Sequence, residues 1–391
     1  MKCQGVLLDP AAYGHLVLML NLVGLVQNVL FIGPSSAALR YAAVAQDAGQ
    51  GRDFAVVLRA LMVRRLLVVL LFAVGVGPLL VWKTELTPVV LLTCLGLGVA
   101  GAIAAVYENW LLSLRRQSGL AITQLAFQVV RLGGMCIGVG LLLWGEFGAI
   151  AGLASAAVFL WIVLLLQMPA FSSGGTSTRD WRAVAGNYAG PFLIWSATLW
   201  SQQAAERWVL QWHCDAHAVG LYGGAYQICF APITMASAMV ANYAAPRIFQ
   251  RWAVGAHQND ELRRWHRIGL WGMAVSLLAA GVTFLLAGPI LTIGLSSAWH
   301  PAAVYLPLLV LSASCFGLGQ AISTPLLAIS SKTINAPKII MPIIGIMVAC
   351  TMIPVFGPMG AAIASVLSNV GYLLWVLHRL HHAARSGARP A

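Results

Sequence analysis

Long apolar stretches separated by short polar ones run the whole length of the chain. Eleven of them reach the roughly 20 residues needed to cross a hydrocarbon core of about 30 Å. They are residues 12–34, 62–82, 88–110, 120–144, 148–167, 185–205, 217–243, 268–294, 302–329, 337–355 and 358–377. The pattern predicts membrane-spanning helices, because lipid offers no partner to free backbone N–H and C=O groups and a helix satisfies its own. Prolines inside the stretches, such as Pro191, Pro232 and Pro289, are compatible with spanning helices.

Composition sharpens this to a class. Of the 391 residues, 60% are hydrophobic and 9% are charged, with a mean hydropathy of +0.84. Soluble domains carry about 25% charged residues, so the expectation is an all-α polytopic membrane protein. The net charge of +12 raises nucleic acid as a partner, and position excludes it. Alternate loops hold Arg40, Arg52 and Arg59; Arg115 and Arg116; Arg179 and Arg182; Arg247, Arg251, Arg263, Arg264 and Arg267; Lys332 and Lys338; and the tail Arg379, Arg385 and Arg389. With Arg64 and Arg65 these make 19 basic residues, against 3 (Lys2, Lys83, Arg207) in the other set. The rich side is expected to be cytoplasmic, which puts the C-terminus inside. Trp82, Trp110, Trp144, Trp208, Trp212, Trp265 and Trp299 fall near span ends, as in an interfacial aromatic belt.

Chemistry is sparse. Cys94, Cys136, Cys229, Cys315 and Cys350 lie within apolar stretches, where thiols pack as small hydrophobes. Cys3 and Cys214 have no CxxC or CxxH partner, so neither a disulfide framework nor a metal site is expected. There is no GxSxG, HExxH or Walker sequence. With short outer loops and no acids at catalytic spacing, an enzyme is not expected. The first eight residues hold no apolar core for a cleavable signal.

The chain also repeats itself. Asp9–Gly14 (DPAAYG) and Asp215–Gly220 (DAHAVG) share Asp, Ala and Gly at an offset of 206. Residues 145–164, beginning GEFGA, match residues 357–377, beginning GPMGA, at an offset of 212, and residues 111–117 match 326–332. Both copies face the same way, a parallel repeat about an axis along the membrane normal. A full span (185–205) precedes Asp215, whereas eight residues precede Asp9. The repeat thus predicts two lobes of 5 + 6 spans, with one helix expected ahead of the first copy.

Residues 9–41, 111–124 and 205–249 carry a resemblance to the polysaccharide (O-antigen, Wzx-type) flippases of the MOP exporter superfamily. It covers essentially the whole chain and rests on scattered Gly, Tyr, Arg and Pro. The family's Asp-Arg is Glu206-Arg207 here, and its first helix is expected to be missing. The resemblance implies a MATE/MOP-like fold of two pseudo-symmetric lobes around a cavity. It also implies flipping of polyprenyl-diphosphate-linked oligosaccharide for O-antigen, capsule or exopolysaccharide synthesis, in the cytoplasmic membrane of a bacterium. Its partners would be that substrate, membrane lipid, a polysaccharide polymerase and glycosyltransferases; no cofactor beyond a coupling H+ or Na+ is expected. The expected domains are an N-terminal lobe (1–170), a linker (171–184, including SSGGTSTRD), a C-terminal lobe (185–380) and a basic tail (381–391).

Against that frame, polar residues within the spans become candidates. Gln124, Gln128 and Arg131 stand at i, i+4 and i+7 on one helix face, a stripe suited to a diphosphate or an acidic sugar; the alternative is packing through backbone carbonyls. Asn21 and Asn28, seven apart, form a second stripe or an interhelical hydrogen-bond set. Glu206 and Arg207 are either a surface ion pair or a coupling carboxylate with its partner. Glu108, near a span end, reads as a loop-facing acid. Tyr222, Tyr226 and Gln227 are read as packing ahead of sugar contacts, and Gly148/Gly152 and Gly220/Gly224 as close helix approaches. The rival readings are a cation-coupled multidrug exporter of the same superfamily, which calls for acids deep in the N-terminal lobe, and a membrane enzyme of polysaccharide synthesis.

Overall fold

The computed structural model describes residues 8–84, 87–114, 116–142, 144–167, 180–253, 258–294, 297–329 and 332–386. These form helices and no strands: α1 Pro10–Gly24, a π-helical turn Leu25–Leu30, α2 Ile32–Asp47, α3 Gly51–Gly75, α4 Gly77–Thr84, α5 Pro88–Ser113, α6 Gln117–Cys136 and a second π turn Ile137–Leu141. Then come α7 Gly145–Gln167, α8 Trp181–His213, α9 Ala216–Ala253, α10 Gln258–Gly294, a 3-10 segment Ser297–Tyr305, α11 Leu306–Ile322, α12 Thr324–Ile329, α13 Lys332–Phe356 and α14 Pro358–Ser386. Among the described residues, 8 helical stretches are long and apolar enough to cross a membrane. The other expected spans, 62–82, 185–205 and 217–243, fall on α3–α4, α8 and α9. The protein is an all-α, multi-pass membrane protein. Large apolar side chains on one face of α10, Trp271, Leu278 and Leu285, are exposed at heptad spacing, as a lipid-facing stripe requires.

By packing the chain divides into two units, residues 15–200 and residues 1–14 with 201–391. The boundaries fall within α1, after Gly14, and within α8, after Trp200. Most of the expected linker lies outside the described residues, as do Lys2, Cys3, Arg115 and Arg179.

In the unit of residues 15–200, α2 turns a face of small side chains, Ala37, Ala38, Ala42 and Ala45, toward Phe54, Leu58, Trp110 and Trp181. Small residues on one helix leave room for the rings of its neighbours. Trp181 is anchored by donating to Gln50 Oε1 at 2.8 Å in the buried core. Arg40 lies over the Tyr188 ring at 4.7 Å, a cation–π contact. The π turn Ile137–Leu141 ends α6, and the return into α7 passes through Gly145 at φ +55°, a conformation that costs a side chain but not glycine. Gly138 and Gly148 then lie backbone to backbone, as do Gly134 and Gly152.

In the other unit the same hairpin recurs. α13 returns into α14 through Gly357, also at φ +55°, and Gly360 rests against the Met352 backbone. Asp9 accepts from Ala12 N at 3.0 Å and Asp215 from Ala218 N at 2.7 Å, so each copy of the repeat opens with the same N-cap. The two turns also meet. A Cβ on Gly14 would overlap the Ala216 carbonyl, and one on Gly220 would overlap the Pro10 carbonyl. The contact is reciprocal, residue for residue, at the repeat offset. α14 continues helical to Ser386, with Leu380, Ala383 and Ala384 buried against Leu262 and Trp265.

The aromatic belt is smaller than expected. Trp82, Trp144 and Trp212 are exposed, but Trp110, Trp208, Trp265 and Trp299 are buried. Trp110 and Trp265 belong to the packed cores, and Trp299 fits against Gly224 and the Tyr13 ring, 5.1 Å between centroids.

Candidate functional site

Within residues 15–200, the π turn, α5, α6 and α7 line a partly open cavity of about 200 Å³. Its polar lining is Gln27, Glu108 and Gln124, and Phe127 and Trp161 supply aromatic walls. α5 brings Leu97, Gly101, Ala104 and Glu108 to it, positions at i, i+4, i+7 and i+11 that share one helix face. Gly101 leaves room for the Gln27 amide, which a Cβ there would overlap. Gln124 Nε2 donates to Glu108 Oε1. Trp161 Nε1 donates to the Ala100 carbonyl at 3.1 Å, which fixes the indole along the wall. The arrangement offers one carboxylate and two side-chain amides to a small polar or cationic group.

Glu108 is therefore not a loop-facing acid. It sits little more than one turn from the end of α5, but α6 and α7 extend alongside, and it is half-buried where they line the cavity. Of the expected stripe, Gln124 reaches the cavity. Gln128 and Arg131 are half-buried on α6 and are not among the described residues that line it. Arg131 Nε is buried with no partner among the described residues. The stripe of Asn21 and Asn28 is broken. Residues in a π turn advance by less than the 100° of an α-helix, so a spacing of seven no longer returns to the same face. Asn28 is exposed, Asn21 is half-buried, and the Asn21 carbonyl accepts from Trp200 Nε1 at 3.3 Å. Gln27, within that turn, is the residue the periodicity missed.

The second constellation lies in the unit that includes residues 201–391. Glu206 and Arg207 are 6% and 8% exposed, which rules out a surface ion pair. Tyr222 donates its hydroxyl to Glu206 Oε2 in the buried core, and the Arg207 guanidinium lies over the Tyr226 ring at 4.2 Å. Tyr226 stacks in turn on Phe230, 4.3 Å between centroids. Tyr222 and Tyr226 are thus packing residues, whereas Gln227 is exposed. Deeper in this unit runs a polar chain that the sequence reading left unmarked. Gln202 donates to Asn369 at 2.6 Å, Asn369 to Ser312 at 2.7 Å, and Ser312 lies 2.7 Å from Ser365. Ser365 and Asn369 at i, i+4 were its visible signal. No cluster of metal-ligating side chains occurs among the described residues.

The chain as a whole is similar in fold to solved transporters. The chain matches an inward-facing multidrug resistance MATE family transporter of the MOP superfamily with a TM-score of 0.63 and 14% identity, over 99% of this chain and 95% of that one. The fold is that of MOP-superfamily transporters. It is likewise similar to the lipid II flippase MurJ in its inward closed conformation (TM-score 0.56, 11% identity, 94% of this chain and 85% of that one). A third match is the Vibrio cholerae MATE transporter VcmN in its bent form (TM-score 0.54, 16% identity, 95% and 87%). None of these three MOP-fold proteins is named as an enzyme. No protein-family model and no curated protein matches the sequence.

Proposed function

We propose that the protein flips lipid-linked oligosaccharide repeat units across the bacterial cytoplasmic membrane, for assembly of O-antigen, capsule or exopolysaccharide. The observation that carries this reading is Arg131. A centred arginine in a span costs about 3 kcal/mol on the insertion scale, and this one keeps a buried Nε without a partner among the described residues. A polyprenyl diphosphate is an anion that would offset that cost. One protein of the same fold is by name a lipid II flippase, which supports a lipid-linked substrate. In this reading Gln124, Gln128, Asn21 and Asn28 contribute hydrogen bonds along the path. Glu206 and Arg207 are the coupling pair for H+ or Na+, and the lobes are residues 1–170 and 185–380, with the C-terminus cytoplasmic.

The test is polymer export in cells carrying Arg131→Ala or Arg131→Lys, with membrane insertion measured alongside. Loss of export in Arg131→Ala, partial retention in Arg131→Lys and normal insertion of both are expected. Normal export in Arg131→Ala would remove the assignment.

A second reading, cation-coupled multidrug export, is favoured by one observation: Glu108 lines a cavity among α5, α6 and α7, where such an exporter needs an acid. It predicts that Glu108→Gln raises drug susceptibility and leaves polymer export unchanged.

A further inference from the structure

We propose that a basic pocket between the adjoining ends of α10 and α14 binds the phosphate headgroup of an anionic membrane lipid. α10 contributes Asp260, Arg263, His266 and Arg267, and α14 contributes His381. They border an open pocket of about 510 Å³. Behind it, Leu262, Trp265, Leu380 and Ala383 are packed core, so the polar groups project from a fixed wall.

The chemistry calls for an anion. Two guanidiniums, charged at any relevant pH, face the same space. The His266 and His381 rings lie 5.2 Å apart between centroids. Each imidazole carries at least one N–H donor, so an acceptor at the pocket has two further donors near it. Asp260 offsets one positive charge and leaves an excess. Phosphate, with several acceptor oxygens, fits such a fork of donors.

The surroundings favour a lipid over a free ion. From Arg267 the same face of α10 continues as Trp271, Val275 and Leu278, all exposed. They lie at i+4, i+8 and i+11, so they form one stripe running away from the pocket along the span. A headgroup held by the arginines would lay its acyl chains on that stripe. Basic pockets between spanning helices at the cytoplasmic side are a known way of holding acidic headgroups. This inference does not depend on the transported substrate.

The experiment uses the full chain purified in detergent. Affinities are measured by native mass spectrometry for phosphatidylglycerol, for phosphatidylcholine of the same acyl chains, and for inorganic phosphate alone. The unchanged protein should retain phosphatidylglycerol over phosphatidylcholine. Each arginine near a charged lipid surface is worth roughly fivefold in binding, so the Arg263→Gln/Arg267→Gln double variant should lose roughly 25-fold for phosphatidylglycerol. His266→Gln/His381→Gln, which keeps both arginines, should lose several-fold. Arg264→Gln, which removes a charge from the same turn but outside the pocket, should change nothing. Unchanged retention in the double variant, or an equal loss in Arg264→Gln, would overturn the site. Inorganic phosphate displacing phosphatidylglycerol at equal concentration would overturn its assignment to lipid.

Discussion

The turns at residues 9–14 and 215–220 begin two copies of one design, and they have aged differently from the helices behind them. Both keep the aspartate cap, and both keep the glycine that lets one turn cross the other. Behind the first turn, α1 gives way to a π turn that sends Gln27 into a cavity. Behind the second, α9 runs unbroken as an α-helix and buries Tyr222 and Tyr226 against Glu206 and Arg207. The copies agree where backbone meets backbone and diverge where side chains meet a cavity or a core. Close backbone contact tolerates one residue type, so it holds both copies to glycine. A side-chain environment can be re-filled in many ways.

That comparison can be broken by substitution. The largest effect is expected at the crossing itself. Gly14→Val and Gly220→Val each force a side chain into a carbonyl of the opposite turn, at about 3 kcal/mol or more. Thermal unfolding of the detergent-solubilised protein should show both to be equally damaging, and tolerance of one alone would mean the contact is not truly reciprocal. Next come the two acids. Glu206→Leu strands the fully buried Tyr222 hydroxyl and should cost about 2 kcal/mol. Glu108→Leu leaves Gln124 beside a cavity large enough for water, so its melting temperature should fall by less than half as much. Equal losses would show that Glu108 is as structural as Glu206.

Gly145→Ala and Gly357→Ala come third, at about 1 kcal/mol each. Neither added Cβ meets an atom closer than ordinary contact, so the cost is conformational and should match between copies. The smallest effect is at the caps. Asp9→Ala and Asp215→Ala, both at exposed positions, should each lower stability by about 0.5 kcal/mol, readable as a small shift in the urea midpoint.

The span pattern and the duplication were legible in the sequence because both rest on backbone requirements. Apolar length is set by the membrane, and Asp9, Gly14, Gly145 and their partners are set by turns. The cavity was less legible. The Asn21–Asn28 stripe assumed that every residue turns by the same angle, and the π turn between them breaks that assumption. The distance of Glu108 from the end of its own helix does not reveal its surroundings, which depend on where α6 and α7 end. Trp110, Trp208, Trp265 and Trp299 match an interfacial pattern by position along the chain, but position near a span end does not say whether an indole faces lipid or a neighbouring helix. The chain from Gln202 through Asn369 to Ser312 crosses three helices, and only the i, i+4 pair Ser365 and Asn369 within α14 hints at it. Arg131 stood out at once, because charge in an apolar run is visible without knowing what surrounds it.

The π turn at Leu25–Leu30 has a mechanical side as well. A helix that is α throughout has its length fixed at 1.5 Å per residue. A single wide turn takes up about one extra residue in the same rise. Drawn back to α geometry, the segment before α2 would lengthen and rotate by about a residue. α9, its counterpart, holds no such slack. A change between the two geometries would therefore alter the length of one member of the pair and not the other, at the stretch that carries Gln27.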